Sequence, residues 1–106
     1  AGRNVSVTVG LSPWEIGRAV RGRKGTYELA FIDGYHSSEQ LYWDFQGVLP
    51  YLAQRFVVVA HDVESFWLWD GVLSCLCLVE GLRFALYKGV ASRSTMGTGF
   101  FYRGLP

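Results

Sequence analysis

The sequence predicts an α/β domain whose sheet is mostly parallel and ends in an antiparallel strand. Strand-like and helix-like patterns alternate along most of the chain, which is typical of βαβ units. The last two strand-like segments are joined by a polar loop, which favours a hairpin-like pair of strands at the C-terminal end. The chain has 106 residues, is 50% hydrophobic and contains no internal repeat or linker, so we expect a single packed domain over residues 1–106.

The first three elements are a strand, a helix and a strand. Residues 5–9 (VSVTV) alternate apolar and polar side chains, which predicts a strand. Ser12 precedes a proline and an acidic first turn, so it is the predicted N-cap of a helix that runs to about Val20. Residues 27–32 form a short apolar run interrupted only by Glu28, which predicts a strand buried on both faces.

A second helix and a third strand follow. Ser37 or Ser38 can cap this helix, its apolar residues recur at helical spacing, and Pro50 is expected to kink or end it. Residues 56–60 (FVVVA) are β-branched at three successive positions, which is typical of a buried strand.

The last third of the chain predicts one helix and two strands. Residues 66–80 are apolar nearly all round, so we expect a helix covered by other structure, with Gly81 as its C-cap. Residues 83–87 and 99–102 are predicted to be the two strands of the closing hairpin.

Composition and charge argue against several classes of partner. A net charge of +1 with 18% charged residues favours neither a nucleic acid nor a membrane surface. Apolar runs all fall short of the roughly 18 residues that a membrane span needs. Cys75 and Cys77 lack CxxC or zinc spacing, so we predict two buried free thiols in a reducing compartment, which favours a cytoplasmic location.

Two residue groups outside the strand ends have ordinary structural interpretations. The tryptophans are expected in the core rather than at a binding surface; they are Trp14, Trp43, Trp67 and Trp69. The basic residues between positions 18 and 24 are expected to form a solvated loop.

Ionisable side chains follow two of the predicted strands. Asp33 and His36 come after the strand at 27–32, and His61 and Asp62 come after the strand at 56–60. One helical crossover joins these strands, so a right-handed βαβ unit would set their carboxyl ends side by side, where ligands bind in open α/β sheets. The alternatives remain open that Asp33 is a turn residue, His36 a loop residue and Asp62 a helix cap.

Together these side chains could hold a metal ion and move a proton. Two carboxylates and a nearby imidazole could bind a hard divalent cation such as Mg²⁺, with water and substrate completing its ligands. A cation there would make a bound hydroxyl more acidic and orient it for attack. His36 could accept the proton that the hydroxyl loses.

Three separated pieces of the sequence resemble the class I S-adenosylmethionine-dependent methyltransferases, especially a small-molecule and sugar O-methyltransferase branch. They are FIDGYHSSE at residues 31–39, DFQGVLPYL at 44–52 and AHD at 60–62. The opening VSVTVG and the closing GTGFFYRG are similar to the third and last strands of the same family. The resemblance implies a partial Rossmann-like methyltransferase fold. The chain would be its C-terminal part, because the cofactor loop and the family's first two strands would precede residue 1.

The resemblance also implies an activity and a set of site residues. The activity is transfer of the sulfonium methyl group of S-adenosylmethionine to a hydroxyl of a sugar or another small molecule. The implied metal ligands are Asp33, His61 and Asp62, and the implied catalytic residues are His36, as the base, and Asp33. The implied cofactor contacts are Ser12 and Asp33. Because the cofactor loop is not in this sequence, we expect weak cofactor binding and no activity from these residues alone.

Two other functions are compatible with the same residues. One is a non-catalytic remnant of the fold that pairs with a second copy through an exposed apolar sheet edge. The other is a metal-dependent phosphohydrolase, suggested by the adjacent His61 and Asp62. The second is disfavoured, because enzymes of that HD type are helical and these two residues end a valine-rich strand.

Overall fold

A computed structural model describes residues 7–34, 37–63, 68–87 and 97–105. Within these ranges the chain forms one sheet, three α-helices and a single 3-10 turn at Leu49–Tyr51. The strands are β1 (Tyr27–Ile32), β2 (Leu52–Ala60), β3 (Arg83–Tyr87) and β4 (Thr98–Arg103). The helices are α1 (Ile16–Ala19), α2 (Ser38–Val48) and α3 (Trp69–Leu76).

The sheet has the order β1-β2-β4-β3. β1 and β2 are parallel, whereas β4 is antiparallel to both of its neighbours, β2 and β3. Strands β1, β2 and β3 therefore run in one direction and β4 runs against them. This confirms the predicted α/β fold with an antiparallel C-terminal strand, and it is compatible with a partial Rossmann-like methyltransferase fold.

The core lies between one face of the sheet and the helices α2 and α3. Phe45 of α2 is fully buried against Phe101 of β4, with ring centroids 4.9 Å apart. Phe84 of β3 also packs on Phe101, with ring centroids 4.9 Å apart. Val58 on the central strand β2 is also fully buried on this face. These contacts hold α2, the helix that joins β1 to β2, against the sheet.

The opposite face of the sheet is apolar and partly open to solvent. Leu29 and Phe31 of β1 are 65% and 61% exposed, and they pair in the sheet with Val57 and Val59. The prediction that residues 27–32 are buried on both faces is therefore wrong. β1 is an edge strand of the described sheet, and the buried residues of α2 pack on the other face.

The N-terminal expectations are also corrected. Val7 and Val9 are 86% and 87% exposed and have no regular structure, while residues 5 and 6 of the predicted first strand lie outside the described residues. An alternating pattern forms a strand only beside a neighbour, and no described strand pairs with this segment. Helix α1 starts at Ile16 after Glu15 rather than after Ser12, whose hydroxyl bonds to Asp44 instead of capping a helix.

Helix α2 follows its prediction closely. Ser37 caps it by accepting a hydrogen bond from the backbone N–H of Gln40 at 3.0 Å. The α-helix ends at Val48, and the 3-10 turn that contains Pro50 leads directly into β2. The proline therefore ends the α-helix, as the sequence predicts.

Helix α3 is shorter and more exposed than predicted. It covers 69–76 rather than 66–80, with residues 64–67 outside the described part, and Leu73 is 62% exposed. Its buried side carries Gly71, where an added Cβ would lie 2.7 Å from the Ser38 carbonyl oxygen. Since only this side meets α2, the other side faces solvent. Cys75 is buried and Cys77 exposed, so the prediction of two buried thiols holds for Cys75 alone.

In the part of the chain that the structure describes, no helix has the length and apolar character needed to cross a membrane. The basic residues Arg18, Arg21, Arg23 and Lys24 are all exposed, as expected, but Arg18 lies in α1 rather than in a loop and pairs with Glu15 at 2.5 Å.

Candidate functional site

The carboxyl ends of β1 and β2 lie side by side. Ile32 pairs with Ala60, and the backbone N–H of His61 donates to the Ile32 carbonyl at 3.0 Å, so the pairing continues one step beyond the strand. This register places Asp33 next to His61, with Asp33 Oδ1 at 3.5 Å from His61 Nδ1. The structure therefore brings together residues that are far apart in sequence, at the edge where parallel sheets bind ligands.

Asp62 adds a second carboxylate from a tight turn. Its φ is 61°, a left-handed conformation that aspartate and asparagine adopt more readily than most residues. The turn directs Asp62 Oδ2 to 2.8 Å from His61 Nδ1, and only 6% of Asp62 is exposed. A hydrogen bond of 3.0 Å from Val63 N to Gly97 O ties the turn to the segment before β4. Leu68 is the N-cap of α3, so Asp62 does not cap that helix.

The atoms of this group fit the requirements of a divalent cation. One ligand atom from each of Asp33, His61 and Asp62 lies within 4.8 Å of the others. Neighbouring ligands of a cation bound at about 2.1–2.4 Å are roughly 3–3.4 Å apart, which is close to the two measured separations. Among the described residues, buried His61 Nδ1 has no partner in hydrogen-bond geometry, although Asp62 Oδ2 is only 2.8 Å away. An imidazole lone pair that faces carboxylates needs a proton or a cation between them.

A buried aspartate that the sequence reasoning did not select supports the neighbouring turn. Asp44 of α2 is 5% exposed and accepts hydrogen bonds from the Ser12 hydroxyl and, at 2.9 Å, from Gln40 Nε2. An added Cβ on Gly34 would lie 3.1 Å from Asp44 Oδ2, so the turn after Asp33 rests closely on this carboxylate. The sequence does carry a signal for its burial, because Asp44 lies among the apolar positions of the helix face, directly before Phe45.

A cavity of about 290 Å³ adjoins Asp33. It is lined by Ser12, Ile16, Phe31, Ile32, Asp33, Gly34, Asp44 and Val48. Ser12 and Asp33, the two residues expected to contact the cofactor, thus face the same space. Their contact with a cofactor stays a prediction.

His36, the expected catalytic base, lies outside the described residues, and its role stays a prediction. The described part of the site therefore consists of two carboxylates, one imidazole and the adjoining cavity.

A family model described as a methyltransferase domain matches residues 1–63, which include β1, α2, β2 and the three side chains of the strand-end group. No curated protein matches the chain.

Proposed function

This chain belongs to the methyltransferase domain family, and from that premise we propose that its strand-end site transfers a methyl group to a hydroxyl of a sugar or another small molecule. Enzymes of this family generally take the methyl group from S-adenosylmethionine. The observation that carries the proposal is the approach of Asp33 Oδ1 to within 3.5 Å of His61 Nδ1, beside the Asp62 carboxylate. Methyl transfer to oxygen requires that the acceptor hydroxyl is held in place and loses its proton. Two carboxylates beside an imidazole can do both.

The chemistry is a direct displacement. A lone pair of the acceptor oxygen forms the new bond to the methyl carbon while the bond from that carbon to sulfur breaks, and its electron pair leaves with sulfur as a neutral thioether. The hydroxyl proton passes to a base, the role proposed for His36. Because the sulfonium is already reactive, the protein contributes mainly by aligning oxygen, carbon and sulfur.

The residues proposed to hold a divalent cation are Asp33, His61 and Asp62. A bound cation supplies a Lewis acid that lowers the pKa of the acceptor hydroxyl. The two carboxylates suit Mg²⁺, and the imidazole nitrogen extends the range to Mn²⁺ and Zn²⁺. Asp33 is half-exposed and can also accept a hydrogen bond from an acceptor hydroxyl.

The cofactor is proposed to occupy the cavity beside Asp33. Ser12 and Asp33 line it together, and Asp44 holds the Ser12 hydroxyl in position. A Ser12 backbone carbonyl that accepts from Gln40 Nε2 at 3.2 Å further fixes this segment against α2. These contacts support a preformed cavity wall.

The test combines binding and turnover. Calorimetric titration of the protein at its full natural length measures S-adenosylmethionine and Mn²⁺ binding, and a tritiated methyl donor measures transfer to a panel of sugars and phenols. Asp62→Asn keeps a residue that tolerates the left-handed turn and removes one charge, so we expect Mn²⁺ affinity to fall about 100-fold. Asp70→Asn, at an exposed carboxylate of α3, is the matched control and is expected to change neither quantity.

Two results would contradict the proposal. The first is a wild-type protein that binds no S-adenosylmethionine, which would reject methyl transfer. The second is an Asp62→Asn variant that binds Mn²⁺ and transfers methyl as well as Asp70→Asn does, which would reject the assigned residues.

The uncovered sheet face favours a second candidate function, a non-catalytic module that pairs with a second copy. Leu29 and Phe31 expose an apolar edge strand that another chain can cover. Sedimentation equilibrium should then show a dimer that Leu29→Asp disrupts. Leu73→Asp, which changes a similarly exposed leucine on α3, should leave the dimer intact. A monomer at all concentrations would reject this candidate.

A further inference from the structure

Two tryptophans line a cleft that the proposed methyl-transfer site does not use. The tryptophan cleft, as we call it, has a volume of about 380 Å³ and is lined by Pro13, Trp14, Trp43, Gln46 and Gly47. Trp14 is 72% exposed and Trp43 is 46% exposed, so the expectation that both belong to the core is wrong. Indole rings are large and mostly apolar, and most folds bury them. Two exposed indole rings in one cleft present apolar surface that a ligand can cover.

The cleft is held in shape by close contacts between its two sides. Trp14 lies in the segment before α1, and Trp43 lies on α2. Gly47 permits the approach of these elements, because a Cβ at this position would lie 2.6 Å from the Pro13 Cβ and 3.0 Å from the Ile16 Cδ1.

Hydrogen bonds add to this packing. Ser12 donates from its hydroxyl to Asp44 of α2, and its carbonyl accepts from Gln40 Nε2 at 3.2 Å. Both bonds lie directly before Pro13 and Trp14 in the chain. Positions that are fixed before binding lose little conformational entropy on binding, which favours a ligand site.

The lining residues define the chemistry of the ligand. None of the five carries a charge, so an ionic ligand would lose its hydration without gaining a charged partner. The indoles offer ring faces for stacking or edge contacts. Gln46 provides one amide, which can donate to and accept from a hydroxyl or an amide of the ligand. The volume lies within the usual range of small-molecule sites.

We propose that the tryptophan cleft binds an uncharged aromatic ring of one or two fused cycles that carries a hydroxyl or amide group. The site is separate from the cavity beside Asp33, because the two share no lining residue. The proposal therefore does not depend on methyl transfer, and either can fail without the other.

A matched series of probes tests the proposal by ligand-detected NMR titration of the full chain. The probes are 2-naphthol, its saturated analogue decahydro-2-naphthol and the cation N-methylquinolinium. We expect 2-naphthol to bind and its saturated analogue to bind at least about tenfold more weakly, because stacking on an aromatic side chain is worth roughly 1–3 kcal/mol. The cation can stack as well, and we expect it to bind more weakly than 2-naphthol because no lining residue carries a negative charge to offset its loss of hydration.

Substitutions locate the binding. Trp14→Ala and Trp43→Ala are each expected to weaken 2-naphthol binding about tenfold, and Trp14→Phe should retain most of it. Tyr87→Ala, which removes a 56% exposed aromatic ring on β3, is the matched control and should leave binding unchanged. Asp33→Asn should also leave it unchanged. Both tryptophans are exposed, so circular dichroism of the variants should match the wild type.

Several outcomes would overturn the proposal. These are no binding of 2-naphthol, equal binding of the saturated probe, tighter binding of the cation, and unchanged binding in both Trp14→Ala and Trp43→Ala. A dimer in sedimentation that Trp14→Ala disrupts would show instead that a second copy occupies the cleft.

Discussion

Replacing Asp44 by alanine tests whether this buried carboxylate joins the segment before α1 to helix α2. The substitution removes the acceptor of two hydrogen bonds, from the Ser12 hydroxyl and from Gln40 Nε2. Hydrogen bonds to a charged group contribute about 1.5–3 kcal/mol each. Part of this loss is offset, because the variant has no carboxylate to desolvate on folding. Both donors can also form hydrogen bonds to water instead. We therefore expect Asp44→Ala to lower the free energy of unfolding by about 2 kcal/mol.

Urea denaturation followed by circular dichroism measures this change. With a slope of about 1.5 kcal/mol per molar urea, the midpoint should fall by about 1.3 M. Asp70→Ala, at an exposed aspartate, should stay within about 0.5 kcal/mol of the wild type. In a double-mutant cycle, Ser12→Ala should cost much less in the Asp44→Ala background than in the wild type. An Asp44→Ala midpoint within about 0.3 M of the wild type would refute the reasoning, because the contribution of the bonds would then be below 0.5 kcal/mol.

Four further predictions concern the helices and the thiols. Gly71→Ala should lower stability by about 1–2 kcal/mol in thermal denaturation, because the 2.7 Å approach to the Ser38 carbonyl outweighs the roughly 1 kcal/mol gain in helix propensity; equal or higher stability would contradict it. Ser37→Ala should cost about 1 kcal/mol by loss of the α2 cap, and an unchanged midpoint would refute that role. Burial raises the pKa of the Cys75 thiol from 9.0 to about 12, so iodoacetamide at about pH 8 should label exposed Cys77 and leave Cys75 until urea is added. The unfolded thiol ionises first as pH rises, so the contribution of Cys75 to stability should fall between pH 9.0 and about 12 and be absent in Cys75→Val.

Local sequence signals predicted most of the elements that build the site. The strand at 27–32 and the strand at 83–87 have the bounds that their apolar runs indicate. Ser37 was one of two candidate caps for α2, and the structure selects it. The meeting of Asp33 with His61 followed from two successive parallel strands, because one helical crossover leaves their carboxyl ends adjacent.

The failures arise where tertiary contacts decide. The apolar pattern of β1 does not reveal that Leu29 and Phe31 lie on the face away from α2, since this depends on which elements cover the sheet. Trp14 and Trp43 look like core residues by type, and only the packing of their segments shows that they are exposed. Helical spacing puts Asp44 on the apolar face of α2, but it does not reveal that the hydroxyl of the distant Ser12 is its partner.

The order of the strands has a consequence for how the chain is made. β4 comes last of the four in sequence, yet it lies between β2 and β3. During synthesis β2 therefore leaves the ribosome without its neighbour on that side, and β3 has no strand to pair with until residues 98–103 emerge. The valine-rich edge of β2 is unpaired throughout that interval, which is when strands of this kind associate wrongly. The interval before β4 arrives is thus the period in which a nascent chain is most exposed to wrong strand pairing.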